Sequence, residues 1–180
     1  MSAKHDINAD LALIVEQEQL LQFERFDADT AFELGSRLRD AATAYGTPVA
    51  IEIWLNGSPL FFFAMPGTAP SNADWLRRKR NTVWHFGRSS YAIGLKLASS
   101  GDSLAGKHAL PERDYAAHGG AFPLAIRGTG IVGTIAISGL PQRDDHGVMV
   151  AVIAEYLGID PAAVALPGWS PGLPPRQLCL

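Results

Sequence analysis

The chain is poor in the residues that most directly announce a chemistry. It has one cysteine in 180 residues, Cys179. A single thiol excludes an internal disulfide framework and any cysteine-cluster metal centre. No strong charge of either sign is present: fifteen Lys and Arg stand against eighteen Asp and Glu, a formal net charge of −3. A global positive field that would recruit nucleic acid is therefore absent. Long hydrophobic runs are missing as well. The longest, Leu60 to Met65, is far short of the roughly 20 apolar residues that span a bilayer. The start of the chain has no apolar segment of signal-peptide type, which predicts a cytoplasmic protein without a membrane partner. What is present is an apolar fraction of 47%, enough for a folded core.

The pattern of that apolar content predicts one α+β domain over residues 1–160, followed by a Pro/Gly-rich tail over 161–180. Leu11, Ile14, Leu20 and Leu21 place a first helix at 9–22, capped by Asn8 or Asp10. Ala31, Leu34, Leu38, Ala41, Ala42 and Tyr45 recur at helical spacing from Asp29, with Gly46 and Pro48 as stop signals. Val49–Leu55 and Leu60–Ala64 flank Asn56-Gly57, a strong hairpin signal. A third helix is expected from about Ala73 to Phe86, capped by Ser71 or Asn72, and a further helical piece over Ser89–Ala98. Residues 99–120 read as a long irregular connection. Ala121–Arg127 and Ile131–Ser138 form a second strand pair, and a last helix runs from about Asp144 to Leu157. Strands joined by hairpins are antiparallel, so the sheet is mostly antiparallel with helices packed on it. In the tail, Trp169 suggests docking on another surface, while an ordinary loose end is the plain alternative.

One motif is misleading. Gly128-Thr-Gly130-Ile-Val-Gly133 matches the dinucleotide fingerprint in spelling. That fingerprint needs a helix N-terminus after it, to hold the pyrophosphate. Thr134-Ile-Ala-Ile-Ser138 alternates like a strand instead, so the glycines make a hairpin turn.

Three segments could carry a site. In the basic helix Trp75-Leu-Arg-Arg-Lys-Arg80, Lys79 falls among the apolar residues Trp75, Leu76, Val83 and Phe86. Either this is a solvated basic face with the Lys79 stem lying over the core, or Arg78 and Lys79 rim a pocket for a small anionic ligand. His118-Gly119-Gly120 combines a side chain that titrates near neutrality with two glycines that let backbone approach a ligand. The plain reading there is a junction between loop and strand. In Ser138-Gly-Leu-Pro-Gln-Arg-Asp-Asp-His146, Asp144 or Asp145 is expected to cap the last helix, with His146 facing inward in its first turn. That arrangement is either structural capping around a buried imidazole or a ligand site at the helix start. The candidate ligand-binding set is thus Arg78, Lys79, His118, Gly119, Gly120, Asp145 and His146. No metal-binding set, catalytic triad or phosphate loop occurs, and nothing names a nucleophile.

Asn72-x-x-Trp75-x-x-Arg78-Lys79, Ser89-Ser90, His118-Gly-Gly-Ala-Phe-Pro123, Gly133 and Ser138-Gly-Leu-Pro-Gln-x-Asp-Asp145-His146 together resemble the UPF0303 branch of the heme-degrading-domain family, which includes HbpS-like and GlcG-like proteins. The resemblance spans about residues 9–158. It implies a profilin-like α/β fold, assembly into symmetric homo-oligomers, and haem as a candidate cofactor. His85, His118 and His146 are the side chains that could ligate its iron. A scaffold or interaction protein without chemistry of its own is the alternative, with Trp75, Trp84 and Trp169 at subunit contacts.

Overall fold

The structure, a computed structural model, describes residues 6–170. Four antiparallel strands make its centre: β1 (Ala50–Leu55), β2 (Ser58–Ala64), β3 (Ala121–Ile126) and β4 (Gly130–Ser138), in the order β2-β1-β4-β3. Hairpins join β1 to β2 and β3 to β4, and the two hairpins meet along β1 and β4. Gly128 and Gly130, which imitate a nucleotide loop in the sequence, make the tight β3–β4 turn, where Thr129 N–H reaches Ile126 O at 2.9 Å. The outer edge of β3 is partly covered, because Phe23 N–H donates to Ala125 O and Arg127 N–H donates to Phe23 O. Such cover removes part of an edge that could pair with another chain.

Among the described residues seven helices surround the sheet: α1 (Ile7–Leu20), α2 (Ala28–Thr43), α3 (Pro70–Phe86), α4 (Ser90–Ser100), α5 (Leu104–His108), α6 (Gln142–Tyr156) and α7 (Pro161–Val164). The α+β architecture and antiparallel sheet agree with the sequence pattern. Period-two alternation gives the sheet two unlike faces. Ile51, Ile53, Phe122, Leu124, Ile135 and Ile137 point into the main core with α2 and α6. The small residues Ala50, Ala121 and Ala136 point the other way, against Leu76 and Val83 of α3.

Several local expectations change in detail. Asp6, not Asn8 or Asp10, caps α1, accepting from Asn8 N–H at 2.9 Å. Asp10 is buried and binds the Arg143 guanidinium instead. Leu20, expected on the inner side of that helix, is half exposed. Helix α3 begins three residues early: Ala69 is its N-cap, and Asn72 Oδ1 accepts the Ala69 N–H at 2.9 Å. Likewise α6 starts at Gln142 after Pro141, with no side-chain cap. Asp144 and Asp145 therefore lie within its first turn, where negative charge still suits the helix dipole. The connection 99–120 holds the short helix α5.

Beyond residue 160 the chain continues onto the domain. Val164, Leu166 and Trp169 are buried in the main core. The Trp169 indole lies against Gly147, where a side chain would collide with it, and its Nε1–H donates to Asp144 Oδ1 at 3.1 Å. Cys179 and the rest of the expected tail from 171 onward lie outside the described residues.

Candidate functional site

The site forms where the end of β4, the start of β3 and the first turn of α6 converge under α3. Helical spacing puts Leu76, Lys79 and Val83 on the side of α3 that faces the sheet. The Lys79 stem therefore runs inward, and its ammonium must find partners there. It donates to Ile137 O at 3.2 Å and to Asp145 Oδ2 at 2.9 Å. The paired side chains are only 4% and 2% exposed. Asp145 also accepts the Leu140 N–H at 3.0 Å. Loss of water dominates its protonation: burial pushes the carboxyl up to about 6, against the pull of Lys79 and of the Leu140 and Gly139 amides.

The two glycines beside His118 are required by this packing. A Cβ on Gly119 would lie 1.9 Å from Gln142 O. Gly120 has φ +116°, and a Cβ there would meet Ile137 O at 2.4 Å and Lys79 Nζ at 2.6 Å. Gly119-Gly120 thus lets the strand start pass between the α6 N-terminus and the Lys79 ammonium.

Segment 111–118 is laced to α3. Arg78 Nε donates to Glu112 O at 2.8 Å, Asn81 Nδ2 to Asp114 O at 2.8 Å, and Ala116 N–H to Arg78 O at 3.1 Å. These bonds set His118 edge-on to Trp75, with ring centroids 5.1 Å apart. The Arg78 guanidinium covers Trp75 at 4.5 Å from the ring centroid, a cation–π contact. Among the described residues, the terminal amino groups of Arg78 have no hydrogen-bond partner. Partial burial, then the positive charges of Lys79 and Arg78, hold the His118 imidazole below its ordinary value, with Glu112 opposing. Both effects favour the neutral ring, which keeps a nitrogen lone pair.

Trp75, His118 and Gln142 form a wall shared by two cavities. The larger, about 460 Å³, runs on between α4 and segment 111–118 past Arg78, Leu95 and Leu97. The smaller, about 260 Å³, is floored by Lys79 and Asp145 and closed by Asn72, Ser138 and Leu140. Arg78, Lys79, His118, Gly119, Gly120 and Asp145 are therefore brought together. His146 is placed elsewhere. One helical step from Asp145, it points into the main core, wholly buried beside Tyr91. Its Nε2 lies 2.9 Å from Gln17 Oε1, and Gln17 Nε2 donates to Val164 O at 2.7 Å. The Gln17 oxygen is thus the acceptor and His146 Nε2 carries the proton. Burial, aided by Arg143, takes the imidazole down to about 3. Capping by Asp145 is likewise replaced by its pairing with Lys79. His85 and His108 pack edge-on to Phe86, outside both cavities.

Asn72, Trp75, Ser138 and Gln142 lie outside the ligand-binding set expected from the sequence, although each stands within a segment that carries the family resemblance. No periodicity marks an Asn or a Gln as a cavity wall; only convergence of α3 and α6 does. Among the described residues no group of three His, Cys, Asp or Glu could hold a metal ion, and no helix is long and apolar enough to cross a membrane. The donor set does fit a porphyrin: one imidazole, a flat indole and a guanidinium with free N–H groups border a cavity whose wall also holds Leu95, Leu97 and Leu104.

Comparison with known proteins agrees with this architecture. The family model for the haem degrading protein HbpS-like matches residues 26–154. A UPF0303 protein of Paraburkholderia phymatum is 54% identical over 161 residues, which cover 89% of this chain and 98% of that protein. The crystal structure of Ybr137w protein superposes with a TM-score of 0.76 at 31% identity, covering 82% of this chain and 87% of that one. A PduOC:heme complex shares the fold with a TM-score of 0.59 at 19% identity, covering 68% and 88% of the two chains. The chain accordingly belongs to the HbpS-like haem-degrading protein family, among its UPF0303 members.

Proposed function

We propose that the protein binds a small anionic ligand, haem foremost, in the larger cavity. His118 would face the iron, Trp75 the ring and Arg78 a propionate. The observation that carries this reading is the Trp75–His118–Arg78 wall, an imidazole beside a guanidinium whose terminal amino groups are free to pair with a carboxylate. The family's description and the heme complex of PduOC support haem over other anions. Bound iron would supply redox chemistry. The chain's own residues bind the ring, orient it and hold its carboxylates. Lys79 and Asp145 are paired to each other and contribute through the fixed position of Gly119-Gly120, and His146 takes no part.

Hemin titration of the full chain, followed at the Soret band, tests this. A saturable one-site shift is expected, lost in His118→Ala and retained in His85→Ala. Arg78→Ala should weaken binding about tenfold, roughly 1.4 kcal/mol. Weak, non-saturating absorbance common to all variants would overturn the reading.

A second reading, a self-assembling interaction protein, is favoured by Phe62 and Trp84, which are 54% and 43% exposed. Phe62 stands opposite Glu52, which pairs with Arg80, and Trp84 lies one turn beyond Arg80 on α3. These aromatics therefore share the α3 side of the sheet. Light scattering on Phe62→Ala/Trp84→Ala tests it, with a change in particle mass expected if copies meet on this face.

A further inference from the structure

The haem reading leaves the smaller cavity unused. Lys96 and Lys107 are exposed, whereas Lys79 is withdrawn almost completely from bulk water. Lys79 nevertheless forms part of the floor of an open space of about 260 Å³, beside the carboxylate that holds it. A clamp between α3 and α6 needs no void next to its ammonium. A reacting amine does.

We propose that Lys79 is a Schiff-base-forming amine and that the smaller cavity takes a small carbonyl compound, an aldehyde or a 2-oxo acid, as its covalent ligand. The amine must first lose a proton, and Asp145 Oδ2, at 2.9 Å, is the acceptor in contact. The Lys79 Nζ lone pair then forms a C–N bond to the carbonyl carbon, and the C=O π electrons pass to oxygen. A proton moves from nitrogen to that oxygen, giving a neutral carbinolamine. Asp145 returns its proton to the hydroxyl, the C–O bond breaks and water leaves. The nitrogen lone pair closes the C=N bond. In sum, ammonium plus carbonyl gives iminium plus water, with no oxidant or reductant.

The surroundings suit each stage. The iminium is a cation in the place of the ammonium, so Asp145 keeps its partner and no buried charge is stranded. The raised proton affinity of the buried Asp145 carboxyl suits it to take a proton and give it back. Gly120, lacking a side chain, leaves room for the amine beside the strand start, where a Cβ would lie 2.6 Å from Nζ. The cavity lies below the ~300–1,000 Å³ of drug-sized sites, which restricts the ligand to a few heavy atoms. His118 and Gln142 in its wall favour polar carbonyl compounds over aliphatic ones.

The test is reductive trapping on the full-length protein. Pyruvate or acetaldehyde is added with sodium cyanoborohydride at short times, and peptide mass spectrometry locates the adduct. Lys79 is expected to be labelled before the exposed Lys96 and Lys107, faster by on the order of a hundredfold. Asp145→Asn should remove that advantage, and Lys79→Arg should leave only exposed lysines labelled. Preference for pyruvate assigns a 2-oxo acid, preference for acetaldehyde an aldehyde. Labelling that follows exposure, with Lys96 and Lys107 modified and Lys79 intact, overturns the proposal. The order of labelling in the unaltered protein decides this even where a variant fails to fold. Hemin binding requires neither Lys79 nor a carbonyl, so the two readings can fail separately.

Discussion

The two faces of the sheet solve burial in opposite ways. Toward α2 and α6, Ile51, Ile53, Ile135, Ile137, Phe122 and Leu124 interdigitate in an apolar layer. Toward α3 the layer is thin, built on Ala50, Ala121 and Ala136, and the remaining space goes to ion pairs: Lys79 with Asp145 and Arg80 with Glu52. Burial pushes the Glu52 carboxyl up as well, in spite of Arg80. One face therefore draws its stability from non-directional packing. The other depends on a few charges that must each keep a partner, and the two cavities that share Trp75, His118 and Gln142 occur on that side. A face of small residues and directed polar groups leaves concave space equipped with charged and polar side chains, whereas the hollow between α2 and α6, about 270 Å³, is lined mostly by apolar ones.

The strongest way to break the contrast is to remove one large group from each face. Phe122→Ala should cost about 3–5 kcal/mol in chemical denaturation, through lost transfer energy and a cavity. Lys79→Ala should cost a similar ~3–5 kcal/mol, for a different reason: it strands a buried carboxylate. The causes separate on repair. Replacing the pair jointly, Lys79→Met with Asp145→Leu, should recover most of that loss, since an apolar pair carries no desolvation penalty. No polar partner substitution repairs Phe122→Ala. Gly120→Ala should cost more than about 1 kcal/mol, because a positive φ and contact with Ile137 O both oppose the added methyl.

A smaller effect sharpens the contrast at neighbouring residues. His146, on the core face, has its imidazole lowered from 6.5 to about 3. The native state then binds fewer protons than the unfolded chain across that range, so stability is lost as pH falls through it. Asp145, on the cavity face, is raised from 3.8 to about 6. Here the native state binds more protons, so stability is gained as pH falls from about 6 toward 4. The two oppose each other in one window. Thermal midpoints at pH 6, 5 and 4 should drop less steeply than those of the unaltered protein in His146→Gln, and more steeply in Asp145→Asn. Identical slopes would contradict these environments. The smallest expected effect is at the outer surface: Trp84→Ala should change stability by within about 0.5 kcal/mol.

Helix and strand positions were largely legible because periodicity is a local property of side-chain order. The α2 stripe from Ala31 to Tyr45 and the Asn56-Gly57 hairpin needed no tertiary information. Helix starts were less so: Asp6, Ala69 and Pro141 occupy the N-cap positions, Asn72 reaches back to the Ala69 N–H from inside α3, and Asp10 and Asp145 serve elsewhere. Asp10 and Asp145 were each drawn off by a cation distant in sequence, Arg143 and Lys79. Helical spacing put Lys79 among apolar residues and His146 on the inner side of its helix, and left open whether either served a ligand. It did not decide which of them meets a cavity.

By itself the sequence determined the elements, the antiparallel hairpins and the place of Lys79 among the apolar residues of its helix, because these depend on spacing over a few residues and on intrinsic backbone preference. Only the tertiary structure decided that Asp145 answers Lys79 across 66 residues, that Trp75, His118 and Gln142 share one wall, and that Trp169 closes the core on Gly147. Those outcomes depend on which helix covers which face of the sheet, a relation between distant segments that no local pattern encodes.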